Sequence, residues 1–429
     1  MSSKVYDIVV FGATGYTGSV VVEQLAQYCA TVSNITWAVA GRSDTKLEKL
    51  LANVADSSGL EFVRRIPRVQ ASLERPESLL EMAKQARIVL NCVGPYALYG
   101  EEVVTACLDG EAHHLDISGE PVFLESTQLN FNERAKEKGV FIIGACGFDS
   151  VPSEVGVQYT MENFPGQVNE IESILRFSGE TGKIHFGTWE SAVNSFGQRN
   201  EVAEIRKKLY PCPLPPPAHR QKSRGMLFFD NTVSAWCLPF LGCDQSVVYR
   251  SQRYLHSKKE IANPVQFKPY FGVSSLFTAL LVLLMGAILG FLAKFEKMRS
   301  CLLKYPGLFT FGLVSHEGST RQQLKSSSFE ATFIAKGYDR TSDRSAPPNK
   351  TLITRIRGPN PGYITCAICI IQAAVTLLRD LDKMPNEGGV YSPGAAFWKT
   401  GYLKRLQESG LVFETVPSAQ EDEAEKKSN

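Results

Sequence analysis

The chain is predicted to be an α/β protein, with an N-terminal doubly wound parallel sheet and a second α+β domain that is split by a hydrophobic insertion. A glycine-rich turn at residues 12–18 follows an apolar run and precedes an amphipathic stretch. Apolar strand-like runs then alternate with helical segments as far as residue 146, as they do in parallel sheets. From residue 167 the alternating stretches are longer, which is typical of antiparallel strands, and residues 270–293 carry no charged side chain over 24 positions.

The glycine-rich turn reads Gly-Ala-Thr-Gly-Tyr-Thr-Gly. In a dinucleotide-binding unit, Gly12 would permit the tight turn, Gly15 would let the backbone approach a pyrophosphate, and Gly18 would let the helix pack on the strand. The N–H groups at the start of the helix would face the anion. A plain structural turn is the alternative, because glycine turns are common. We predict a Rossmann domain over residues 1–150 whose cofactor-binding turn includes Gly12, Thr14, Gly15, Tyr16, Thr17 and Gly18.

The second predicted strand ends where such domains carry the residue that reads the adenine ribose. An Asp or Glu there favours NAD. This chain has Gly41, Arg42 and Ser43, with Lys46 one turn later. Arg42 can stack on the adenine and grip a 2′-phosphate with two hydrogen bonds, while Ser43 and Lys46 add donors. NADP(H) is therefore predicted in preference to NAD; the alternative is that Arg42 is a solvated loop residue.

The alternation of apolar and amphipathic segments gives six strands and five helices for the first domain. The strands are predicted at 5–11, 35–40, 66–71, 87–93, 113–117 and 140–145, and the helices at 17–30, 44–55, 76–84, 99–110 and 121–138.

The fourth of these strands ends in Asn-Cys-Val-Gly-Pro-Tyr. Ligands of open α/β sheets bind at the carboxyl ends of the strands. We therefore expect residues 91–96 to face the nicotinamide ribose, with Asn91, Val93, Gly94 and Pro95 among the cofactor-binding residues.

The next two strands also end in polar residues, Asp116 and Asp149. Both should open onto the same crevice, and with Tyr96 they are the candidate catalytic residues, to supply a proton or to position the substrate. Helix N-capping or turn closure is the alternative for both aspartates, and Asp149 precedes a predicted helix at 152–162.

Composition excludes several classes of function. The 46 basic and 44 acidic residues leave a net charge of +2, which disfavours a nucleic-acid partner. Ten cysteines are scattered without a repeated spacing and no secretory signal precedes the first strand, so a reducing, cytosol-facing compartment is expected and secretion is not. The one CxxC pair, Cys366 and Cys369, lacks partners for a zinc site, so we predict buried helical thiols and no metal.

The second domain is predicted to comprise residues 151–265 and 320–415, with antiparallel strands from 167 to 255 and strands again at 327–335 and 351–357. It would serve for substrate binding, and a homodimer formed through it is compatible with this organisation. Residues 416–429 form a charged tail that we expect to be disordered. Its last four residues match a dilysine retrieval pattern for the endoplasmic reticulum, which also arises by chance.

Residues 266–319 are the predicted hydrophobic insertion. Residues 270–293 have the length of a membrane span, and a second apolar stretch at 301–314 suggests a hairpin. A helix buried in a large core is one alternative, and a single transmembrane span is another. A single crossing would place the two halves of the second domain on opposite sides of the bilayer, so we favour insertion into a membrane or lipid surface without crossing.

Five motifs together resemble the saccharopine dehydrogenase family: the glycine turn, Ala-Gly-Arg-Ser at 40–43, residues 91–96, Leu-Asp-Ile-Ser-Gly-Glu at 115–120 and Gly-Phe-Asp-Ser-Val-Pro at 147–152. The resemblance extends to residues 388–397. It implies a Rossmann domain, a split second domain built on a mixed sheet, and a nicotinamide cofactor in the cleft between them. The same broad family includes bacterial trans-acting enoyl reductases that act on lipid precursors.

These observations predict an NADPH-dependent oxidoreductase that acts on an apolar, lipid-like small molecule at a cytosol-facing membrane or lipid-droplet surface, rather than on saccharopine. Saccharopine would require convergent Arg or Lys side chains, and the family's lysine and histidine acid-base pair is not identified by any motif here. The alternative, from a different class, is a catalytically silent NADPH-binding scaffold at a lipid surface.

Overall fold

The computed structural model describes residues 4–32, 34–180, 182–339, 344 and 346–416. The strands, in chain order, are β1 (Tyr6–Phe11), β2 (Trp37–Gly41), β3 (Arg68–Gln70), β4 (Ala86–Asn91), β5 (His113–Asp116), β6 (Phe141–Ile143), β7 (Gln167–Ser178), β8 (Ile184–His185), β9 (Phe228–Asp230), β10 (Ala235–Pro239), β11 (Gln266–Val273), β12 (Val314–Ser315), β13 (Ser328–Tyr338), β14 (Lys350–Pro359), β15 (Gly389–Tyr391) and β16 (Val412–Val416).

The helices, in chain order, are α1 (Tyr16–Thr31), α2 (Asp44–Ser58), α3 (Pro76–Gln85), α4 (Tyr96–Asp109), α5 (Pro121–Glu137), α6 (Val151–Asn163), α7 (Phe186–Gly197), α8 (Arg199–Leu209), α9 (Asp244–Ser257), α10 (Leu276–Leu292), α11 (Glu296–Lys304), α12 (Pro306–Phe309), α13 (Arg321–Ser326), α14 (Cys366–Arg379), α15 (Pro393–Ala396) and α16 (Tyr402–Glu408).

The first sheet is parallel, in the order β15-β6-β5-β4-β1-β2-β3. Strands β1, β2 and β4 are nearly continuous apolar runs because helices cover both faces of the sheet. The chain order reverses between β1 and β4, which is the position where such sheets bind ligands. The structure thus confirms the predicted doubly wound α/β fold.

The seventh strand of this sheet comes from far along the chain. Strand β15 pairs in parallel with β6 at the edge of the sheet, and α14 packs against α1. Both elements lie in the segment assigned by sequence to the second domain. The first domain is therefore not confined to residues 1–150, because later residues complete its sheet and cover its helices.

The second sheet is mixed, in the order β16-β14-β13-β7-β11-β10-β9. Strand β7 pairs antiparallel with β13 and parallel with β11. The expectation of antiparallel strands throughout 167–255 is wrong, since α7, α8 and α9 occupy much of it. Strand β11 belongs to the sheet, so the insertion does not begin at residue 266. Residues 417–429, with the predicted tail and its lysine pattern, lie outside the described residues.

The uncharged run at 270–293 is divided between two elements. Its first four residues end β11, and residues 276–292 form α10, a helix of 17 residues. Ala279 is the buried residue of α10, so the alternative of a helix buried in a large core is wrong. Within the described part of the chain, one helical segment has the length and hydropathy of a membrane span. It is Pro361–Arg379, which comprises α14 and the helical turn before it, and 78% of it is buried inside the protein. That helix carries Cys366 and Cys369, which are buried as predicted.

Candidate functional site

The turn after β1 has the backbone that its glycines predict. Gly12 has a φ of +79°, and a Cβ there would lie 2.6 Å from Val93 Cγ2 in the turn after β4. A Cβ on Gly18 would collide with the Gly12 carbonyl oxygen, so a side chain would push α1 away from the turn. The two glycines thus bring the start of α1 and the turns after β1 and β4 together at the switch point of the sheet.

The start of α1 is open to a ligand. Its N-cap is Gly15, which offers no side-chain acceptor to the first N–H groups of the helix. Thr14 and Gly15 are exposed, and Thr17 is half-buried beside them. Free N–H groups at a helix start attract an anion. The residues present therefore fit the pyrophosphate of a dinucleotide.

Tyr16 was predicted to bind the cofactor, but its side chain contacts the second domain instead of the open turn. Its ring stacks on His185 at 5.0 Å and meets the edge of Tyr363 at 4.6 Å. Its hydroxyl donates a hydrogen bond of 2.5 Å to the Ser319 carbonyl oxygen. The side chain therefore ties the glycine turn to the second domain, because an aromatic ring buries more area against neighbouring rings than in an open turn.

The turn after β2 presents two cations to solvent. The Arg42 side chain is 76% exposed, with Glu74 at 3.9 Å, and Lys46 is also exposed. An ion pair this exposed is weak, so Arg42 is free to reach a ligand. Ser43 is the N-cap of α2 and accepts a bond from the Lys46 N–H at 3.4 Å, which leaves its hydroxyl proton available. Gly41 is buried as the last residue of β2.

The turn after β4 is only partly as predicted. Val93 is half-buried and Gly94 is exposed at the opening, whereas Pro95 is buried. Asn91 is buried too, and its side-chain oxygen accepts the Val93 N–H at 3.0 Å. The Asn91 amide shapes the turn, and its contact with a nicotinamide ribose stays a prediction.

Two of the three candidate catalytic residues are buried. The Tyr96 hydroxyl donates to the Asn91 carbonyl oxygen at 2.9 Å and is shielded from solvent. Asp116 Oδ1 accepts N–H groups from Ser118 at 2.9 Å and Ala145 at 3.0 Å, which closes the turns after β5 and β6. Burial raises the Asp116 pKa to about 7. Both residues have structural roles in this arrangement, so the prediction that they contact substrate is not supported.

Asp149 is the candidate that solvent reaches. It does not cap the helix that follows, because the N-cap of α6 is Ser150. The surrounding protein nonetheless partly desolvates its carboxyl and raises the pKa. Asp149 therefore remains a candidate for contact with substrate.

A buried carboxylate that the sequence did not single out holds the turn after β4. Glu120 accepts the N–H groups of Tyr96 and Ala97, each at 2.9 Å, and a bond from the Ser191 hydroxyl at 2.8 Å. A carboxylate at a helix start is stabilised by the helix dipole. This explains why α4 begins at Tyr96, three residues before its predicted start. Tyr96 and Ala97 precede Glu120 by 24 and 23 residues, so no local sequence pattern predicts that Glu120 binds their N–H groups.

A narrow opening with a cavity volume of about 20 Å³ lies between the end of the first sheet and the second sheet. Asp149 and Ser153 border it on one side, and Asp244 borders it from α9. No group of three His, Cys, Asp or Glu residues in the described ranges is placed to hold a metal. The remaining walls are mainly apolar and comprise Phe148, Pro152, Ser173, Leu175, Phe240, Pro269, Tyr270 and Ala331.

Comparison with known proteins identifies the family. A rat saccharopine dehydrogenase-like oxidoreductase is 40% identical over 422 residues, which cover 97% of this chain and 98% of the rat protein. The chain belongs to the saccharopine dehydrogenase-like oxidoreductases. Its residues 8–143 match the family model described as the saccharopine dehydrogenase NADP binding domain. The resemblance predicted from the five motifs is thus confirmed, and NADP(H) binding is supported by the family model.

Two further relatives carry names that refer to a cellular location and to a reaction. A Caenorhabditis elegans protein named lipid droplet localized protein is 34% identical, covering 95% of this chain and 98% of the relative. A Mycobacterium tuberculosis protein named as a candidate trans-acting enoyl reductase is 26% identical, covering 96% and 97%. Apo saccharopine dehydrogenase (L-Glu forming) from Saccharomyces cerevisiae has a TM-score of 0.53 at 10% identity, covering 96% of this chain and 100% of that chain, which shows a shared fold.

Proposed function

We propose that this protein is an NADPH-dependent reductase that acts on an apolar small molecule at a membrane or lipid-droplet surface. One observation carries the proposal: a continuous apolar stripe on α10 points away from the protein. Its residues recur every three or four positions, so they share one face of the helix. They are Phe277 (76% exposed), Leu281, Leu284, Ile288, Phe291 and, just beyond the helix, Phe295.

Residues beside the stripe anchor α10 to the protein. Leu289 and Leu292 pack with Trp189 and Val193 of α7, and the Trp189 indole N–H donates to the Leu302 carbonyl oxygen at 3.1 Å. The exposed apolar surface continues after α11 at Tyr305, Leu308 and Phe311. An apolar patch of this extent in water would favour association, so a lipid phase is the environment that suits it.

The topology favours insertion without crossing. Strand β11 directly precedes α10, and β13 follows the insertion, yet both strands pair with β7 in one sheet. A chain that enters a lipid phase at α10 would therefore leave it on the same side. A helix of 17 residues is about 26 Å long, shorter than the roughly 30 Å hydrocarbon core.

The preference for NADPH over NADH is proposed from the turn after β2. Arg42 and Lys46 are exposed there, and no acidic residue follows Gly41 directly. A guanidinium can make two hydrogen bonds to a 2′-phosphate, which NADH lacks.

The proposed substrate class follows from the opening between the two sheets. The side chains that line it are mostly apolar, and its ionisable carboxyls are Asp149 and Asp244. None of these lining side chains is a cation that could pair with the carboxylates of saccharopine. When bound, the reduced dinucleotide supplies a hydride; the chain itself binds and orients the reactants and supplies a proton.

Two measurements test the proposal. The first is flotation with phosphatidylcholine vesicles and with phosphatidylcholine-coated triolein emulsions. The unchanged chain is expected to float, and the triple variant Phe277→Glu, Leu284→Glu, Phe291→Glu is expected to lose binding by at least roughly 100-fold. The double variant Met226→Glu, Leu381→Glu is the control, since both side chains are exposed elsewhere. A triple variant that floats like the control would contradict the lipid surface.

The second measurement is calorimetric titration with NADPH and NADH. Replacing Arg42 with Asp is expected to weaken NADPH binding by roughly 10-fold or more and to leave NADH binding nearly unchanged, because one charged hydrogen-bonding partner of the 2′-phosphate is lost. Equal losses for both nucleotides would contradict the role of Arg42.

A scaffold that binds NADPH without catalysis is the second candidate function. It is favoured by the burial of Tyr96 and Asp116, two of the three candidate proton donors. A screen of enoyl and carbonyl substrates separates the two, since a scaffold would bind NADPH and oxidise none of it.

A further inference from the structure

Several basic side chains lie beside the apolar stripe of α10. Residues 276–312 carry four basic and one acidic side chain, a net charge of +3, whereas the whole chain has a net charge of +2. The rest of the chain therefore has no net positive charge. The charged residues of the segment are Lys294, Glu296, Lys297, Arg299 and Lys304.

One of the four basic side chains is used inside the protein. Arg299 Nη1 donates a hydrogen bond to the Ala293 carbonyl oxygen at 3.0 Å, which satisfies an acceptor at the C-terminal end of α10. The other three, Lys294, Lys297 and Lys304, are exposed. These three lysines form the basic cluster.

Lys294 connects the basic cluster to the stripe. It directly precedes Phe295, the last residue of the stripe, and the rings of Phe291 and Phe295 are 5.4 Å apart. A cation is also favoured at this position by the negative end of the α10 dipole. The ammonium group of Lys294 is thus attached next to aromatic rings that the protein leaves uncovered.

The outer face of α11 carries the other two members of the cluster. Lys297 and Lys304 are seven positions apart, which places them on one face of the helix. Leu302 lies on the inner face and is fully buried against α7 and α10. The Lys304 ammonium is 5.4 Å from the centre of the Tyr305 ring, which is exposed in the same apolar surface. Basic and apolar side chains therefore lie side by side.

The basic cluster lacks an anionic partner within the described residues. Other lysines pair with carboxylates of the chain, as Lys399 does with Glu260 at 2.6 Å, but Lys294, Lys297 and Lys304 do not. Exposed lysines often serve only to keep a surface hydrated. These three border a surface that water does not suit, so their partner should be apolar and anionic at once.

We propose that α10 and α11 bind a membrane or lipid-droplet surface that contains anionic phospholipids, with the stripe among the acyl chains and the basic cluster at the headgroups. The flexible lysine stems can follow the apolar surface while the ammonium groups stay at headgroup level. This inference rests on the proposed lipid-surface function and adds the class of lipid. A lysine is a point charge without the planar fork of arginine, so the cluster should respond to surface charge rather than to one headgroup.

The test is flotation of the full chain with neutral and anionic vesicles. The neutral vesicles are phosphatidylcholine; in the anionic ones, phosphatidylserine or phosphatidylglycerol replaces about a third of it. A lysine near an anionic surface strengthens binding about 5-fold, so the three lysines are expected to give a preference for anionic vesicles of roughly 100-fold at physiological ionic strength. In about 1 M salt, where the Debye length is about 3 Å, the preference should fall to a few-fold.

Removing the basic cluster should abolish this preference without abolishing lipid binding. The triple variant Lys294→Gln, Lys297→Gln, Lys304→Gln is expected to bind anionic vesicles roughly 100-fold more weakly than the unchanged chain. Its binding to neutral vesicles is expected to stay nearly the same, because the stripe is intact.

A matched control removes the same charge from other positions. Lys49, Lys350 and Lys404 are exposed in α2, β14 and α16. The control variant Lys49→Gln, Lys350→Gln, Lys404→Gln should keep the preference for anionic vesicles. An equal loss in both triple variants would overturn the inference, because the effect would then come from the net charge of the chain.

Two other occupants of the cluster are outcomes of the same assay. Inorganic phosphate at constant ionic strength is expected not to compete, because it offers nothing to the stripe; competition would show a site for a free anion. Polyglutamate that binds as tightly as anionic vesicles would show an acidic protein partner. Either result would overturn the inference, as would a preference above roughly 10-fold for one anionic headgroup over the other.

The inference and the proposed function fail in different ways. A chain that binds neither kind of vesicle would overturn the lipid surface and the inference with it. Binding to neutral vesicles that anionic lipid does not strengthen would overturn the inference alone. If circular dichroism shows that the cluster variant does not fold, the salt dependence of the unchanged chain decides.

Discussion

Two apolar helices of this protein, α10 and α14, have similar residue types and opposite surroundings. Twelve of the 14 residues of α14 are buried, whereas one of the 17 residues of α10 is. Helix α14 packs against α1 and the first sheet, and α10 lies on α7 with its outer face uncovered. Hydropathy therefore identifies segments that avoid water, and the fold decides whether protein or a lipid phase covers them.

The largest difference in stability between the two helices is expected when a carboxylate is introduced into each. Ala374 is fully buried in α14 and Leu284 is 58% exposed on α10. Ala374→Asp is expected to lower the free energy of unfolding by more than about 4 kcal/mol, because it places an unpaired carboxylate in the core. Leu284→Asp should lower it by less than about 1 kcal/mol. Urea unfolding followed by circular dichroism measures both; equal losses would remove the distinction.

Shortening a leucine side chain to alanine is expected to separate the two helices by a smaller difference in stability. Leu377→Ala in α14 is expected to destabilise by about 2–5 kcal/mol, since it leaves a cavity in the core. Leu281→Ala on α10, where the side chain is 47% exposed, should change stability by less than about 0.5 kcal/mol. In vesicle flotation the order of the two effects should be reversed. Leu281→Ala should bind vesicles more weakly than the unchanged chain, and Leu377→Ala should bind them equally well. The same ranking in both assays would contradict the separate roles of the helices.

A further difference is expected in pH dependence. Burial raises the pKa of Asp116, in a strand that packs against α14, and of Glu154 to about 7 each. A carboxyl with a raised pKa binds more protons in the folded state between pH 4 and 7. Its stabilisation is therefore complete below its unfolded pKa and is lost as the pH rises towards 7, by up to roughly 1.4 kcal/mol per pH unit for each group.

Unfolding of the unchanged chain at pH 5 and pH 8 measures this loss, and Asp116→Asn is expected to reduce it. The apolar stripe of α10 has no titratable side chain, so binding to neutral vesicles should stay constant over the same range. A stability that does not fall between pH 5 and pH 8 would show that Asp116 and Glu154 titrate normally.

Local sequence patterns were sufficient for much of the first domain. The glycine turn and the six strands that follow one another along the chain were predictable, because each depends on neighbouring residues. Contacts between distant residues were not. Glu120 reaches Tyr96, Ser153 reaches Asp244 across 91 positions, and β15 joins a sheet begun more than 200 residues earlier. The division of the run at 270–293 was also missed, because hydropathy does not distinguish a buried strand from an exposed helix.

The pairing of β7 with β13 has a consequence for biosynthesis. These two strands lie at the middle of the second sheet, and β13 follows β7 by about 150 residues. The ribosome therefore releases α10 and its apolar stripe before the sheet can close. During that interval the nascent chain exposes an apolar helix and an unpaired edge of β7. Exposed apolar surface and unpaired strand edges both promote aggregation in water. Docking of the growing chain on a lipid surface would shield both until β13 arrives.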